Sequence, residues 1–176
     1  LHLPVQSGDD DILHKMNRGY TVKEFTHLVH QFRTTIPTLT LSTDVIIGFP
    51  TETEEQFDRT LQLLKEIQPD IVNITRFSAR PLTTAKKMKG RIPTHVVKER
   101  SKKATEICSK LSLEKNKEHL GKTYIVLVTE QGKKNTVTAR TDSYKQIVLT
   151  ELVPIESFVQ VKIIDATPIY LVGKLI

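Results

Sequence analysis

Apolar residues in the first half of the chain fall into short β-branched runs separated by longer stretches with helical spacing. Leu1–Val5 reads as a short strand. Ser7, with Asp10 three residues on, reads as the cap of a helix that ends near Gly19. Thr21 and Glu24 form a capping box, and Val22, Phe25, Leu28, Val29 and Phe32 then share one helical face up to Pro37. Leu39–Phe49 is strand-like. Its run Val45-Ile46-Ile47, closed by Gly48, suits a parallel strand buried on both faces. Thr53 with Gln56 caps a helix whose inner face is Phe57, Leu61, Leu64 and Ile67. Pro69 stops it, and Ile71–Phe77 is the next strand. Strands alternating with amphipathic helices predict βαβ units and a parallel sheet. A complete eight-unit barrel takes about 250 residues, so this half predicts only part of one.

From Thr94 a polar helix is expected to about His119, with Val97, Ala104, Ile107, Cys108 and Leu111 as its apolar stripe. After Gly121 the rhythm changes. Thr123–Thr129, Thr136–Thr141, Gln146–Leu149, Ser157–Ile164 and Tyr170–Ile176 are short β-rich runs parted by polar turns such as Gln131-Gly132-Lys133. Short strands so closely spaced predict a small closed barrel of the oligonucleotide-binding (OB) kind.

Composition narrows the picture. The chain has 176 residues and one cysteine, Cys108, so an internal disulfide and a self-contained zinc or cluster site are excluded. No apolar run approaches the ~20 residues of a membrane span, and no signal peptide is visible. The first residue is Leu1, inside an expected strand, which points to an excised piece of a longer protein; with one cysteine and no visible signal peptide, a cytoplasmic home is the default expectation. Residues 1–85 carry eight basic and eleven acidic side chains, residues 86–115 ten and three, and residues 116–176 eight and six. The basic excess therefore sits in the middle. It is either a solvated helix face or a surface for a polyanion, which binds by releasing condensed counterions.

Chemistry concentrates where strands end. Ligands of parallel sheets gather at the carboxyl ends of strands, and Gln6 and Ser7 stand at such an end. An amide and a hydroxyl there can hold a polar cofactor, while Gly8 lets the chain turn; Ser7 is equally a helix cap. Asp44 interrupts an apolar strand, so its charge must be paired or face a cavity. Glu52 and Thr53 fit an ordinary strand-to-helix connection. His27 and His30, three apart on a helix, lack a third ligand and read as surface residues. Cys108 reads as a small buried side chain.

Three segments carry a resemblance: His2–Gly8 (HLPVQSG), Ser42–Phe57 (STDVIIGFPTETEEQF) and Phe77–Ala85 (FSARPLTTA). They resemble the second half of the radical-SAM methylthiotransferases. In detail they are most similar to the archaeal and eukaryotic type that acts on N6-threonylcarbamoyladenosine beside the tRNA anticodon. Residues 121–176 resemble the TRAM domain that ends these enzymes, in length, strand rhythm and placement. Two departures stand out. The family usually has Gly where this chain has Thr51, and Gly-Thr-Pro-Ala where it has Leu82-Thr83-Thr84-Ala85.

The resemblance implies an α/β fold: the C-terminal part of a (β/α) radical-SAM barrel over residues 1–93, a long basic connecting helix packed on it over 94–120, and a TRAM RNA-binding barrel over 121–176. It implies S-adenosylmethionine as cofactor, with 4Fe-4S clusters only in a full-length protein, since the three closely spaced cluster cysteines are absent. Gln6 and Ser7 would then contact the cofactor, Asp44 accept from ribose hydroxyls and Gly48 leave room for an adenine ring. Arg18, in Met16-Asn17-Arg18-Gly19, is either a surface charge at a helix C-terminus or a bidentate clasp for the cofactor carboxylate. Arg80 contacts a phosphate or the cofactor, or braces its loop. Lys122, Lys133, Lys134, Arg140 and Lys145 would track tRNA phosphates, and Tyr144 would stack on a base. The full-length enzyme would be a transferase and this stretch alone inert, without catalytic or metal-binding residues of its own. An open sheet edge at Leu1–Val5 would let it self-associate. A ribosomal-protein methylthiotransferase and a non-catalytic RNA-binding module are the alternatives.

Overall fold

A computed structural model describes residues 1–79, 83–133 and 135–176. The chain divides into two compact units, Leu1–Cys108 and Ser109–Ile176, with the division inside its longest helix.

The first unit alternates helices and strands as expected: α1 Asp10–Lys15, α2 Val22–Thr35, β1 Ser42–Ile47, α3 Glu54–Ile67, β2 Ile71–Arg76, α4 Thr84–Lys87 and α5 Thr94–Lys117. β1 and β2 pair in parallel, from Ser42 opposite Ile71 to Ile47 opposite Arg76. The opening segment adds a third, irregular track. It joins β1 through parallel bridges at His2–Ser42 and Gln6–Val45, and Pro4, with no N–H to donate, interrupts a regular ladder. The capping boxes at Thr21 and Thr53 are both formed. One expected cap is not. Asp9, rather than Ser7, caps α1, its carboxylate accepting from the Ile12 N–H at 3.1 Å. The Ser7 hydroxyl instead lies 3.4 Å from Thr60 Oγ1 on α3. α1 also stops early, because Asn17 takes the left-handed conformation (φ +57°) and the Arg18 N–H closes back on Leu13.

The core of this unit is Val5, Phe25, Val29, Val45, Ile47, Phe57, Leu61, Leu64 and Ile67, completed from α5 by Ala104 and Cys108. Burial of apolar surface at about 25 cal/mol per Å² drives its assembly. Along β1, Thr43, Val45 and Ile47 face this core, while Ser42, Asp44 and Ile46 turn the other way and are only half-buried.

The second unit is a closed five-stranded barrel in the order β3–β4–β5–β7–β6. Its strands are β3 Thr123–Gln131, β4 Val137–Arg140, β5 Gln146–Leu149, β6 Phe158–Ala166 and β7 Leu171–Leu175. All neighbours are antiparallel except β5 and β7. Inward positions hold Val126, Val128, Ala139, Ile147, Leu149, Val161, Ile163 and Leu171. Bulges at Val128/Glu130 and Ile163/Asp165 give the two longest strands the bend that closure requires. The fold class is thus mixed α/β followed by an OB-like barrel. Among the described residues no helix is long and apolar enough to cross a membrane.

Candidate functional site

The open side of the first sheet is polar. In register, Ser42, Asp44 and Ile46 of β1 lie beside Ile71, Asn73 and Thr75 of β2. The Asp44 carboxylate accepts from Asn73 Nδ2 and from His2 Nε2, each at 2.9 Å. Burial alone would raise its pKa; the bonds from Asn73 and His2 and the His2 charge outweigh it, so the group lies below the usual carboxylate value. Gln6 is joined to the same residue through the backbone, its N–H donating to the Asp44 carbonyl at 2.8 Å. Gln6 is a buried non-glycine held at φ +70°, a strained conformation that tends to persist at working sites.

A cleft of about 480 Å³ opens at the carboxyl ends of β1 and β2, within the range of small-molecule sites. Gly48, Arg76, Phe77, Ser78, Arg91 and Val97 are among the residues that line it. Phe77 packs edge-on against Phe49 with ring centres 5.1 Å apart. Gly48 turns the chain at φ +80°, and a Cβ there would come within 2.6 Å of a Val97 methyl. The space freed by this glycine is therefore taken by α5.

A buried ion pair fixes that turn. The Gly48 N–H donates to Glu52 Oε2 at 2.9 Å, and Arg100 Nη1 donates to the same oxygen at 3.0 Å and to the Glu52 carbonyl at 3.1 Å. Arg100 Nε reaches Glu54 at 2.9 Å, and its guanidinium lies 5.4 Å from the Phe57 ring centre. Burial pushes the Glu52 carboxyl above its ordinary value, against the opposing pull of the Gly48 N–H and Arg100. Sequence reasoning missed Arg100 by counting it with the basic run. A signal existed: it stands three residues after Val97 and four before Ala104, inside the apolar stripe.

The other expected cofactor contacts are dispersed. Ser7 is buried and accepts from the Asp9 N–H. Arg18 is exposed after α1. Gln6, Ser7, Arg18 and Asp44 are not among the described residues that line the cleft, and Arg80 lies outside the described residues. Arg76 and Arg91, not singled out in the sequence, do line it.

The donor set does not fit an iron–sulfur cluster, which needs several thiolates. Cys108 is buried, and burial raises its thiol to about 11. Among the described residues no three His, Cys, Asp or Glu side chains gather as metal ligands, and His27 and His30 are exposed on α2.

In the second unit, Arg140 and Tyr144 meet. The guanidinium lies 4.7 Å from the Tyr144 ring centre, and that ring is 70% exposed at φ +69° in the turn after β4. Lys122 and Lys133 are exposed, and Lys134 lies outside the described residues. Lys145 corrects the sequence reading. Its backbone closes the turn on Thr141 in both directions, which sends the side chain inward. It is buried, with Nζ donating to Asn116 Oδ1 at 2.9 Å.

Comparison with known proteins fits both units. Residues 1–64 match the family model of the Radical SAM superfamily, and residues 117–176 match that of the TRAM domain. The chain is 47% identical over 175 residues to a probable threonylcarbamoyladenosine tRNA methylthiotransferase of Archaeoglobus fulgidus, covering 99% of this chain and 41% of that protein. A protein of the same name from Pyrococcus horikoshii is 48% identical over 176 residues, 100% of this chain and 41% of its own length. A bacterial relative, the tRNA-2-methylthio-N(6)-dimethylallyladenosine synthase of Bacillus cytotoxicus, is 40% identical over 180 residues, with 100% and 35% covered. The chain spans about two fifths of the length of the archaeal relatives it matches. Each unit thus matches one family model, Radical SAM over residues 1–64 and TRAM over residues 117–176, and the whole chain is nearly half identical to part of these archaeal methylthiotransferases.

Proposed function

We propose that this chain is part of a tRNA methylthiotransferase that converts N6-threonylcarbamoyladenosine to its 2-methylthio derivative. The observation that carries this reading is the identity along the whole chain: 45–48% to four archaeal threonylcarbamoyladenosine proteins and 38% to a fifth, against 38–40% to three dimethylallyladenosine synthases. S-Adenosylmethionine with reduced 4Fe-4S clusters supplies radical chemistry in such enzymes, and this stretch holds no ligand set for a cluster. Its share of the work is to bind cofactor and RNA, in the cytoplasm where tRNA is found. Cells lacking the full-length protein are expected to lose the 2-methylthio nucleoside from digested tRNA by mass spectrometry, with the threonylcarbamoyl form accumulating. Unchanged tRNA nucleosides together with an altered ribosomal protein overturn the reading.

S-Adenosylmethionine would lie against Gln6 and Asp44 on the open face of β1 and reach past the strand end to Gly48, with Arg80 kept as a contact on the sequence resemblance alone. Ser7 would support Gln6 from behind, and Arg18 would reach the cofactor carboxylate only from its exposed place after α1. A carboxylate kept ionised, as at Asp44, is a strong acceptor for hydroxyls. Hydrogen bonds to charged groups contribute about 1.5–3 kcal/mol, so Asp44→Asn should weaken cofactor binding by roughly 10- to 100-fold in calorimetry. An unchanged affinity removes Asp44 from the site.

For RNA we place Lys122, Lys133, Lys134, Arg140 and Tyr144 at the interface and leave out Lys145, which is committed to Asn116. Binding should fall steeply with salt; salt-independent binding contradicts it. The backbone edge of Leu1–Gln6 opposite β1 would also let two copies pair, which light scattering tests by a mass that rises with concentration.

A further inference from the structure

The register of the barrel brings a second aromatic ring onto the face that carries Arg140 and Tyr144. Leu127 of β3 lies opposite Phe158 of β6 on one side and Arg140 of β4 on the other. Val126, Val128, Val161 and Ile163 point inward and are at most 1% exposed. Side chains alternate along a strand, so Ile125, Leu127, Phe158 and Gln160 point outward. Phe158 and Ile125 are each 71% exposed, as bare as Tyr144 at 70%. Strands lie about 4.8 Å apart, so Phe158 and Arg140 are roughly 10 Å apart on one surface, with Tyr144 stacked on the far end.

The rows next to this apolar patch are basic. Lys162 stands opposite Thr123 on β3 and opposite Lys174 on β7. Like charges facing one another across a ladder are destabilising, and among the described residues neither lysine has an ion pair. The register places no acid in the rows from Phe158 to Lys162; Glu130 lies beyond Arg140 at one end and Asp165 beyond the lysines at the other. Flat exposed rings beside unpaired cations match a ligand with free π-faces and negative charge. A duplex hides its base faces, whereas an unpaired strand presents them.

We propose that the outer face of β6–β3–β4 is a stacking platform for an unpaired RNA strand. Phe158 takes one base and the Arg140–Tyr144 pair takes another, while Lys162 and Lys174 hold phosphates on the side of Phe158 away from Arg140. This rests on the RNA-binding reading above and adds to it the residues Phe158, Lys162 and Lys174 and the requirement for single-strandedness.

The test uses the whole 176-residue chain, an unstructured RNA of about a dozen nucleotides carrying 2-aminopurine, and the matching duplex. Base–aromatic stacking sets the expectation: Phe158→Ala and Tyr144→Ala should each weaken the single strand about tenfold, and Phe158→Trp should retain affinity. Lys162→Gln with Lys174→Gln should flatten the salt slope by roughly 1.4. The 2-aminopurine signal that changes on binding should be lost in Phe158→Ala. Because both rings are exposed, these variants keep the fold, which far-ultraviolet dichroism confirms. If Phe158→Ala binds normally while Tyr144→Ala is weakened, the platform is overturned and the RNA reading stands. If the unsubstituted chain binds no RNA, the reading falls and takes the platform with it. Equal affinity for duplex, or a dimer that Phe158→Ala abolishes, also overturns the proposal.

Discussion

Replacing Arg100 with methionine isolates the ion pair that pins the tip of β1. The Arg100 and Glu52 side chains are 8% and 1% exposed. Methionine fills much of the same volume and keeps contact with Phe57, so the change removes charge and donors more than packing. It leaves a buried carboxylate to which, among the described residues, the Gly48 N–H still donates. Breaking a buried pair from one side costs about 3–5 kcal/mol. That is a large share of the roughly 5–15 kcal/mol that holds a domain together.

The pH dependence separates this cause from lost packing. Burial raises the folded pKa of Glu52 above its unfolded value. The folded state therefore holds the proton more tightly, and the contribution of this group to stability falls as pH rises through that interval. Without Arg100 the carboxyl rises further. The deficit of Arg100→Met should be largest near neutrality and shrink as the pH is lowered, because a protonated Glu52 needs no counterion. Urea unfolding followed by dichroism at neutral and at acidic pH measures this, and the double variant with Glu52→Gln should recover much of the loss. A deficit below about 1 kcal/mol at neutral pH, or one that does not change with pH, refutes the reasoning.

Three further outcomes follow from the same geometry. Thr51 sits at φ +70°, where a β-branched residue is strained by about 1–2 kcal/mol, so Thr51→Gly should raise the unfolding free energy by roughly 1 kcal/mol; a lower midpoint in urea contradicts it. Burial lifts the Cys108 thiol from 9.0 to about 11, so the folded state keeps its proton and its contribution to stability is lost as pH rises above about 9; Cys108→Ala should show a shallower alkaline decline than the parent, and identical slopes count against it. Lys145→Met should lower the stability of the barrel by about 1–3 kcal/mol through the Asn116 group left behind and leave RNA affinity unchanged once the folded fraction is matched; weaker RNA binding at equal stability returns Lys145 to the interface.

What the sequence made legible was local. The boxes at Thr21 and Thr53 are satisfied within one turn of helix, so spacing alone finds them. The five barrel strands follow from period-two alternation between polar turns. Cap choice at α1 was less local. Ser7 and Asp9 are both cap formers, and contact with Thr60, more than fifty residues on, draws Ser7 away. Lys145 looked like one more surface lysine because nothing nearby in sequence marks the asparagine that receives it. Phe158 was legible in principle, since it alternates outward with Gln160 and Lys162. Its significance lay in the neighbour across the ladder, which only the register supplies.

The expected cofactor residues show why right elements do not guarantee a common cavity. Asp44 and Gly48 lie four positions apart, but Asp44 is on the open face of β1, whereas Gly48, just past the strand at φ +80°, faces Val97 of α5. A strand rises about 3.3 Å per residue, which separates them by roughly 13 Å. Gln6 is level with Asp44 by its bridge to Val45, and Gly48 is level with the cleft. A compact ligand takes one of these positions. A ligand that touches both must be elongated and must pass round the strand ends, with one end at the Asp44 carboxylate and the other among Arg76, Phe77 and Arg91. The charges agree with that orientation. The mid-strand end offers an anion to hydroxyls or a cation, and the cleft end offers two guanidinium groups to an anion or a ring.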